Sequence, residues 1–360
     1  MSALKLRDRD AIVTQEGFIF RVFGYSHPKD AYICDAEYAS SDIFQSTDPR
    51  ALRSGEDKIY YKFYDDEAWK FISKNYPKYF IHHDMLDKDL IGVKKADIAK
   101  TRIPQKRLQE MALAEPNDKL HAATLRVLAT VLRKSGLQSE DLGVFGSMLH
   151  NFHHPDYSDI DLLIYGKEQN AKVREALGSL YEEKNSGFTN EFDTDVAIRG
   201  KKWRFHNFSS KEYLWHQKRK LIYGLYYDDE SKRTIKSEFE PVKDWCEIFN
   251  EYNSETQIVR KDWVKVKAKV IADSDGPFIP SVYGIEPIEV LKGSKDALEA
   301  VRIISYMEEF RQQVQKDETI IVEGGLEEVV SPKGRFYQLA LTYCPRYYEQ
   351  VLKVADLSFT

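Results

Sequence analysis

The fold of this chain is decided by two short segments near its middle, Phe145-Gly146-Ser147 and Ser158-Asp159-Ile160-Asp161-Leu162-Leu163-Ile164. Gly146 follows a short apolar run, and its missing side chain lets backbone N–H groups approach a phosphate closely. Ser147 can donate its hydroxyl to a terminal phosphate oxygen. The first segment therefore predicts a phosphate-binding turn.

Asp159 and Asp161 stand at the start of a predicted strand. Ile160, Leu162 and Ile164 anchor one face of it, and the two-residue period of a strand places both carboxylates on the same face. Paired carboxylates suit Mg²⁺, with Mn²⁺ as the alternative, because these ions bind few protein ligands and leave positions for substrate phosphates. The two segments together predict metal-assisted chemistry on a nucleoside triphosphate (NTP).

A third carboxylate would complete a two-metal arrangement. Asp195 is the best candidate, because it opens an apolar run within a strand that we predict over Phe192–Ile198, beside the first strand. Asp193 lies on the same face of that predicted strand and is the second candidate for the third carboxylate. We therefore expect Asp159, Asp161 and Asp195 to bind metal together.

These residues resemble the motif of the nucleotidyltransferase superfamily, which includes DNA polymerase β, CCA-adding enzymes and aminoglycoside nucleotidyltransferases. The family pattern is an apolar residue, Gly, Gly or Ser, a gap of roughly seven to thirteen residues, and then Asp, apolar, Asp or Glu, apolar. Phe145-Gly146-Ser147 and Asp159-Ile160-Asp161-Leu162 satisfy it, with a gap of eleven residues. The resemblance covers residues 119–206. Over its full length the chain looks most like the uncharacterised predicted nucleotidyltransferases of archaea.

The resemblance implies a role for each motif residue. Ser147 would contact the triphosphate. Asp159 and Asp161 would bind both metal ions, while Asp195 would bind the catalytic ion and activate the acceptor hydroxyl. Many small members have Arg three residues after the Ser, where this chain has His150. That departure predicts a phosphate contact that is weaker or is supplied elsewhere.

A length of 360 residues exceeds the size at which one core usually keeps growing, so we expect more than one domain. The predicted fold class is α+β. Residues 1–108 would form a β-rich module with a connector, residues 109–255 the nucleotidyltransferase core with an appended hairpin or helix, and residues 256–360 a second β-rich module. By its resemblance the core has a mixed β-sheet with helices on one face.

Hydrophobic periodicity locates the main elements of these segments. Strands are predicted over residues 11–14, 18–23, 142–145 and 264–270. Helices are predicted over residues 117–135, 173–181 and near 243–252. The polar stretch from 78 to 116 is interpreted as a connector with short helices.

A faint repeat links the two ends of the chain. Phe18–Gly24 is similar to Phe278–Gly284, and the segment from Asp30 to Tyr38 is similar to the one from Asp296 to Tyr306. This similarity indicates either two related flanking modules or a chance match between aromatic β-hairpins.

The segment from Lys201 to Lys220 is rich in basic and aromatic side chains. Seven Lys or Arg residues stand there against Glu212, interleaved with Trp203, Phe205 and other rings. Such a segment can hold a triphosphate or an RNA backbone and stack a base. The structural alternative, a hairpin and an amphipathic helix whose aromatics pack in a core, is favoured.

Three histidines, His150, His153 and His154, lie between the two motif segments. They are close enough in sequence to the motif to touch a phosphate or a metal. Since no further soft ligands are nearby in the sequence, a polar loop is favoured over a zinc site.

Composition describes a globular protein without a membrane span. Charged residues make up 31% of the chain, its net charge is -5, and no apolar run approaches the length of a transmembrane helix. The N-terminal residues do not resemble a signal peptide, so we expect a cytoplasmic protein with reduced cysteines. The negative charge argues against a protein built mainly to coat nucleic acid.

The leading functional hypothesis is a metal-dependent nucleotidyltransferase. It would move a nucleoside monophosphate (NMP) from an NTP such as ATP to an acceptor hydroxyl, with RNA as one candidate acceptor, and release pyrophosphate. Two alternatives remain at this stage. One is a non-catalytic RNA- or nucleotide-binding protein, and the other is an enzyme that transfers a nucleotide to a protein side chain.

Overall fold

A computed structural model describes residues 5–55, 58–199, 202–343 and 346–357. The chain forms two compact units. The first consists of Met1–His83, Asp87–Ala176 and Tyr226–Asn253, and the second of Asp84–Leu86, Leu177–Leu225 and Ser254–Thr360. The first unit thus combines the N-terminal segment with most of the predicted core.

The N-terminal segment contains an eight-stranded sheet with the main strand order β4-β5-β3-β2-β1-β8, and β7 pairs with both β3 and β6. Its strands are β1 Ala11–Thr14, β2 Phe18–Val22, β3 Ala31–Ser40, β4 Leu52–Ser54, β5 Ile59–Lys62, β6 Phe80–His83, β7 Lys88–Lys94 and β8 Ile98–Arg102. Phe18, Phe20 and Tyr79 are fully buried in its core. The predicted strands at residues 11–14 and 18–23 are confirmed.

A mixed five-stranded sheet with the order β11-β12-β13-β10-β9 follows. Its strands are β9 Leu142–Val144, β10 Ile160–Tyr165, β11 Phe188–Asn190, β12 Tyr223–Asp228 and β13 Arg233–Val242. β10 runs parallel to β13 and antiparallel to β9. The predicted mixed sheet is therefore present.

The C-terminal segment contains a six-stranded sheet. Its strands are β14 Gln257–Asp275, β15 Ser281–Lys292, β16 Ala300–Ser305, β17 Thr319–Ser331, β18 Gly334–Leu341 and β19 Val351–Val354. Their order is β14-β15-β16-β18-β17-β19, and an additional pairing of β14 with β17 closes five of them into a ring. Val264, Val266, Ala268 and Val270 of β14 are fully buried, as their alternation with lysines predicted.

The helices are α1 Glu67–Asn75, α2 Pro104–Leu113, α3 Lys119–Ser135, α4 Gly146–Leu149, α5 Lys167–Glu182 and α6 Ser210–Lys220. α3 begins where the Asp118 carboxylate accepts hydrogen bonds from two backbone N–H groups of the first turn. It ends at Gly136, which adopts a left-handed conformation with φ of 70°. The predictions for α3 and α5 are confirmed.

Several predictions of local structure are wrong. The stretch from 78 to 116 is no mere connector, since it holds three strands and α2. Residues 192–198 form no strand and contain a 3-10 helix at Asp195–Ala197. The helix expected near 243–252 is reduced to a 3-10 turn at Trp245–Glu247.

The faint repeat corresponds to similar elements only in part. Phe18–Val22 is a strand, whereas Phe278 to Pro280 precede β15 and include a cis peptide bond before Pro280. Ala31 begins β3, whereas Ala297 lies in a 3-10 helix over Lys295–Glu299. The matched segments therefore begin in different local structures, although in both cases the strands that follow pair antiparallel, β2 with β3 and β15 with β16.

Each predicted segment holds one of the three sheets, so the α+β fold with β-rich flanks is confirmed. None of the described helices is both long and apolar enough to cross a membrane. Cys34 and Cys246 are free thiols, and Cys344 lies outside the described residues.

Candidate active site

The two motif aspartates lie at the start of β10, which pairs with the parallel strand β13. Asp161 is directly opposite Glu238, and Glu240 follows two residues further along β13. Residues opposite each other in a sheet project from the same face, so these three carboxylates share one face. Ile160 and Leu162 are fully buried on the other face. The strand pair therefore gathers acidic side chains on one surface.

The half-buried carboxylate of Asp161 is strongly perturbed by its surroundings. Burial raises its pKa well above the usual value, and the negative charges of Glu238, Asp159 and Glu240 raise the pKa further. The positive charge of Lys236 lowers the pKa of Asp161. An ionised carboxylate is costly in such a place, and a divalent cation would offset the repulsion.

Gly146 lies immediately beside this carboxylate. The Phe145 N–H donates a 3.0 Å hydrogen bond to the Asp161 carbonyl, which fixes the chain at the end of β9 against β10. Gly146 then turns into α4 with φ of +61°, and a Cβ there would overlap Asp161 Oδ2. Glycine is required both for this conformation and for this approach.

Ser147 is the second residue of α4 and is half-buried. Among the residues that the structure describes, its hydroxyl has no hydrogen-bond partner. Its carbonyl accepts hydrogen bonds from the N–H groups of His150 and Phe152 at 3.3 and 2.8 Å. The backbone at Ser147 is thus fixed by two hydrogen bonds.

Asp159 precedes β10 and is exposed, although partial desolvation raises the pKa of its carboxylate. Positive charges on Lys236 and Arg233 lower the pKa in turn. Arg233 also donates hydrogen bonds to the carbonyls of Pro155 and Ser158 at 3.1 and 2.8 Å. The first aspartate is therefore positioned by a loop that is fastened to β13.

The two glutamates of β13 have different partners. Glu238 pairs with Lys236, whose Nζ lies 2.6 Å from Glu238 Oε1. Glu240 is buried and pairs with Arg9 at 2.6 Å between Arg9 Nη2 and Glu240 Oε2. Both glutamates therefore have a cationic partner, and they differ in that Glu240 is buried whereas Glu238 lies directly opposite Asp161.

The side chains on this face are of the type that binds Mg²⁺ or Mn²⁺, because these ions prefer carboxylate oxygens. One of the carboxylates, that of Asp161, is half-buried and is repelled by its acidic neighbours. Within the described parts of the chain, no three His, Cys, Asp or Glu side chains are arranged as a ready-made metal cage. Mg²⁺ does not require one, since it usually takes one or two carboxylates together with water and substrate phosphates.

Asp195 does not lie on a strand, contrary to the prediction from the sequence. It lies in the 3-10 helix Asp195–Ala197, and its carboxylate forms a 2.6 Å ion pair with Arg199. Asp193, the second candidate, pairs with Lys218 at 2.7 Å. The strands that pair with β10 are β9 and β13, so Glu238 lies on a strand next to Asp161 and Asp195 does not, and the metal-binding role of Asp195 stays a prediction.

Sequence reasoning missed Glu238 because it missed β13. The signal was nevertheless present: Ile235, Ser237 and Phe239 are buried and alternate with Lys236 and Glu238. Such alternation is the mark of a strand with one covered face. Residues 233–242 received no element in the sequence analysis, so this alternation was not used.

The three loop histidines have structural contacts. His150 is buried, its Nδ1 meets Arg102 Nη1 at 3.0 Å, and its Nε2 lies 3.8 Å from Glu37. His153 pairs with Asp118 at 2.8 Å, and His154 accepts a hydrogen bond through its ring from a loop N–H. The preference for a polar loop over a zinc site agrees with these contacts.

The basic segment from Lys201 to Lys220 is largely committed to the second unit. Its first residue lies outside the described part of the chain. Lys220 is fully buried and donates a 2.6 Å hydrogen bond to the Glu309 carbonyl, and Arg219 pairs with Glu318. Rings of the segment pack against the core of that unit, among them Phe205, Phe208 and Tyr213. These contacts favour the structural interpretation of the segment.

A comparison with known protein families finds a match over the part of the chain that contains this site. Residues 125–245 match the family model described as a nucleotidyltransferase domain. The predicted resemblance to nucleotidyltransferases is confirmed. The matched range contains both motif segments and also β13, the strand that carries Glu238.

A curated relative covers nearly the whole chain. It is an uncharacterised protein of Methanocaldococcus jannaschii, 26% identical over 337 residues, which are 93% of this chain and 94% of that protein. The similarity therefore extends through the β-rich flanks as well as the matched domain. No solved structure is similar enough to match.

Proposed function

We propose that the face of β10 and β13 transfers an NMP from an NTP to an acceptor hydroxyl. The observation that carries this proposal is the alignment of Asp161 with Glu238 beside the turn at Gly146. It joins a carboxylate pair to a phosphate-binding motif within one matched nucleotidyltransferase domain.

In the proposed reaction, the acceptor oxygen forms a bond to the α-phosphorus of the NTP. The bond from that phosphorus to the oxygen bridging toward the β-phosphorus breaks, and pyrophosphate leaves with the electron pair. The Glu238 carboxylate accepts the proton of the acceptor hydroxyl. The Ser147 hydroxyl and the neighbouring backbone amides hold the departing phosphates.

Asp159, Asp161 and Glu238 are the residues that would hold a divalent metal. When bound, Mg²⁺ or Mn²⁺ would lower the pKa of the acceptor hydroxyl and neutralise charge on the transferred phosphate. The raised pKa of Asp161 supports this assignment, because a bound cation would offset the burial and the repulsion that disfavour its ionised carboxylate. Glu238 replaces Asp195 in the proposed set because of its place in the sheet.

The proposal also names candidates for the nucleotide donor and for the acceptor. ATP is one candidate donor, and RNA is one candidate acceptor. RNA binding through the segment from Lys201 to Lys220 would depend on its exposed lysines, Lys202 and Lys211, because the later basic residues have structural partners.

The test follows the fate of labelled nucleotides in a cell extract. Each NTP is supplied with a radiolabel at either the α- or the γ-phosphate, and the products are treated with ribonuclease or protease. We expect label from the α-phosphate alone to enter an acceptor. The nuclease and protease then distinguish RNA, protein and small acceptors.

Variants show whether the transfer occurs at this site. We expect Asp159→Ala/Asp161→Ala to abolish transfer, while Asp229→Ala, at an aspartate side chain that is 85% exposed, serves as the matched control. Equal transfer by the double variant and the wild type would contradict the proposed function.

A further inference from the structure

A cleft of about 500 Å³ opens in the first unit beside the end of α4. Its walls come from β8, from the first half of α2, from the hairpin of β4 and β5, and from residues 149–152. Sites for small ligands typically have volumes of about 300–1,000 Å³. The cleft is therefore large enough for a nucleotide-sized group.

The lining of this cleft contains more cationic than acidic residues, although Lys58 pairs with Asp42 at 3.3 Å and Arg107 with Glu110 at 3.7 Å. Its cationic lining residues are Lys58, Lys100, Arg102, Lys106 and Arg107, whereas Glu110 is acidic. Two further acidic residues, at 56 and 57, lie outside the described part of the chain. Because the whole chain has a net charge of -5, this concentration of positive charge is not a general property of its surface. It favours an anionic ligand.

The two arginines are held in place by the segment that follows Ser147. Arg102 Nη1 donates hydrogen bonds to Nδ1 and to the carbonyl of His150, at 3.0 and 3.2 Å. Arg107 Nε donates to the Met148 carbonyl at 3.3 Å, and its Nη2 donates to the Asn151 side chain. Positioned guanidinium groups suit a phosphate, whose oxygens accept several such bonds.

The lysines provide mobile charge at the same cleft. Lys100 and Lys106 are exposed, and no carboxylate of the described residues lies within ion-pairing distance of either. Lys100 and Arg102 are two apart on β8, so they project from one face of the strand. The cleft therefore combines fixed and adaptable cations, as phosphate-binding sites do.

The cleft is joined directly to the proposed reaction site. Phe152, one of its wall residues, donates a 2.8 Å hydrogen bond from its N–H to the Ser147 carbonyl. α4 has four residues, so its rise from Gly146 to Leu149 is about 4.5 Å. The triphosphate is proposed to bind at the start of α4, and the cleft lies at its other end. One acceptor can therefore reach both.

We infer that this cleft is the acceptor subsite and that it binds a phosphate group of the acceptor. The inference rests on the proposed nucleotidyl transfer, in which the NTP phosphates are held at Gly146 and Ser147. The acceptor carries its own phosphate in the cleft and presents its hydroxyl toward β10. The phosphate is either a phosphodiester of a nucleic acid strand or a phosphomonoester of a small molecule.

Binding without catalysis tests the cleft itself. The full-length protein in EDTA is titrated into a short fluorescein-labelled oligoribonucleotide, followed by anisotropy, and separately with ribose 5-phosphate, followed by calorimetry. The test variant is Lys100→Glu/Lys106→Glu. The matched control is Lys316→Glu/Lys333→Glu, which changes the net charge equally at two exposed lysines that lie in turns outside the cleft and outside the segment from Lys201 to Lys220.

We expect one of the two probes to bind the wild type, to lose at least tenfold in affinity in the cleft variant, and to lose less than twofold in the control. Binding of the oligoribonucleotide identifies the phosphodiester source, and binding of ribose 5-phosphate identifies the phosphomonoester source. Binding of neither probe, or equal losses in both variants, would overturn the inference. Thermal unfolding of each variant excludes a general loss of structure.

Nucleotide binding and transfer separate this inference from the proposed function. In Mg²⁺, the cleft variant should keep its affinity for ATP within twofold of wild type while its transfer to extract acceptors falls at least tenfold. A parallel loss of ATP affinity would assign the cleft to the NTP and overturn the inference. If Asp159→Ala/Asp161→Ala instead transfers normally, the proposed function fails, whatever the cleft binds.

Discussion

Gly146 lies so close to Asp161, at a φ of +61°, that a Cβ on residue 146 would overlap the Asp161 carboxylate. The turn at Gly146 and the strand β10 therefore approach each other through a residue without a side chain. This relationship explains why the two segments must occur together. Each would be an ordinary turn or strand by itself.

Gly146→Ala should impair both stability and transfer. The left-handed conformation and the overlap with Asp161 are expected to cost about 1–3 kcal/mol, measured by denaturant unfolding. Gly136→Ala is the matched control, because Gly136 has a φ of +70° but no atom within 4 Å of the added Cβ. The control should lose stability without losing transfer. Equal activities of the two variants would show that the fit to Asp161 is unimportant.

Asp161→Asn should stabilise the metal-free protein while it abolishes transfer. The aspartate is half-buried and repelled by Glu238, Asp159 and Glu240, so a neutral amide of the same shape removes an unfavourable charge. We expect a gain of about 1 kcal/mol by thermal unfolding in EDTA near neutral pH. Added Mg²⁺ should stabilise the wild type more than the variant. A less stable variant in EDTA would argue against the electrostatic account.

The buried pair of Arg9 and Glu240 should be essential for stability in the first unit. Arg9→Met leaves the Glu240 carboxylate buried without its 2.6 Å partner, at a cost of about 3–5 kcal/mol. Arg9→Met/Glu240→Gln removes the uncompensated charge and should recover part of that loss. A double-mutant cycle measured by urea unfolding checks this. Additive losses would mean that the pair contributes nothing of its own.

His216 should make the protein less stable in mild acid. Its Nδ1–H donates to the Glu212 carbonyl at 2.7 Å, and its Nε2 accepts the Val354 N–H at 3.1 Å, so the folded state requires the neutral ring. Burial lowers its pKa from 6.5 to about 3. The unfolded chain therefore binds a proton first, and this stability is complete above pH 6.5 and declines as the pH falls toward 3.

The expected slope from this one group is up to about 1.4 kcal/mol per pH unit. Urea unfolding between neutral and acidic pH measures it, and His216→Gln should give a shallower dependence of the free energy of unfolding on pH. An unchanged slope in the variant would show that His216 is not responsible.

The architecture around the motif could be predicted because it rests on local patterns. The alternation of Ile160 with Leu162 shows a strand with one buried face, and Ser135-Gly136 marks the end of α3. At the turn of Gly146 and at the paired aspartates, the residue types alone indicate the chemistry that the sequence analysis predicted. These features need no knowledge of distant contacts.

The proposal of Glu238 as the third carboxylate could not be reached from local patterns, because it depends on which strand pairs with β10. Asp195 and Glu238 both adjoin apolar residues, and only the pairing of β10 with β13 distinguishes them. The ion pair of Arg9 with Glu240 could not be predicted from the sequence either. Arg9 is far from Glu240 in sequence, and their ion pair arises from the packing of the N-terminal segment within the first unit.

The most direct measurement compares nucleotidyl transfer by Glu238→Gln and Asp195→Asn under identical conditions with Mg²⁺. If Glu238 completes the site on β10 and β13, Glu238→Gln should lower the transfer rate about a hundredfold or more, as removal of a general base does. Asp195→Asn should cause a much smaller loss, because its carboxylate lies on an exposed 3-10 helix and pairs with Arg199. Near-normal transfer by Glu238→Gln together with inactivity of Asp195→Asn would contradict this assignment of the site.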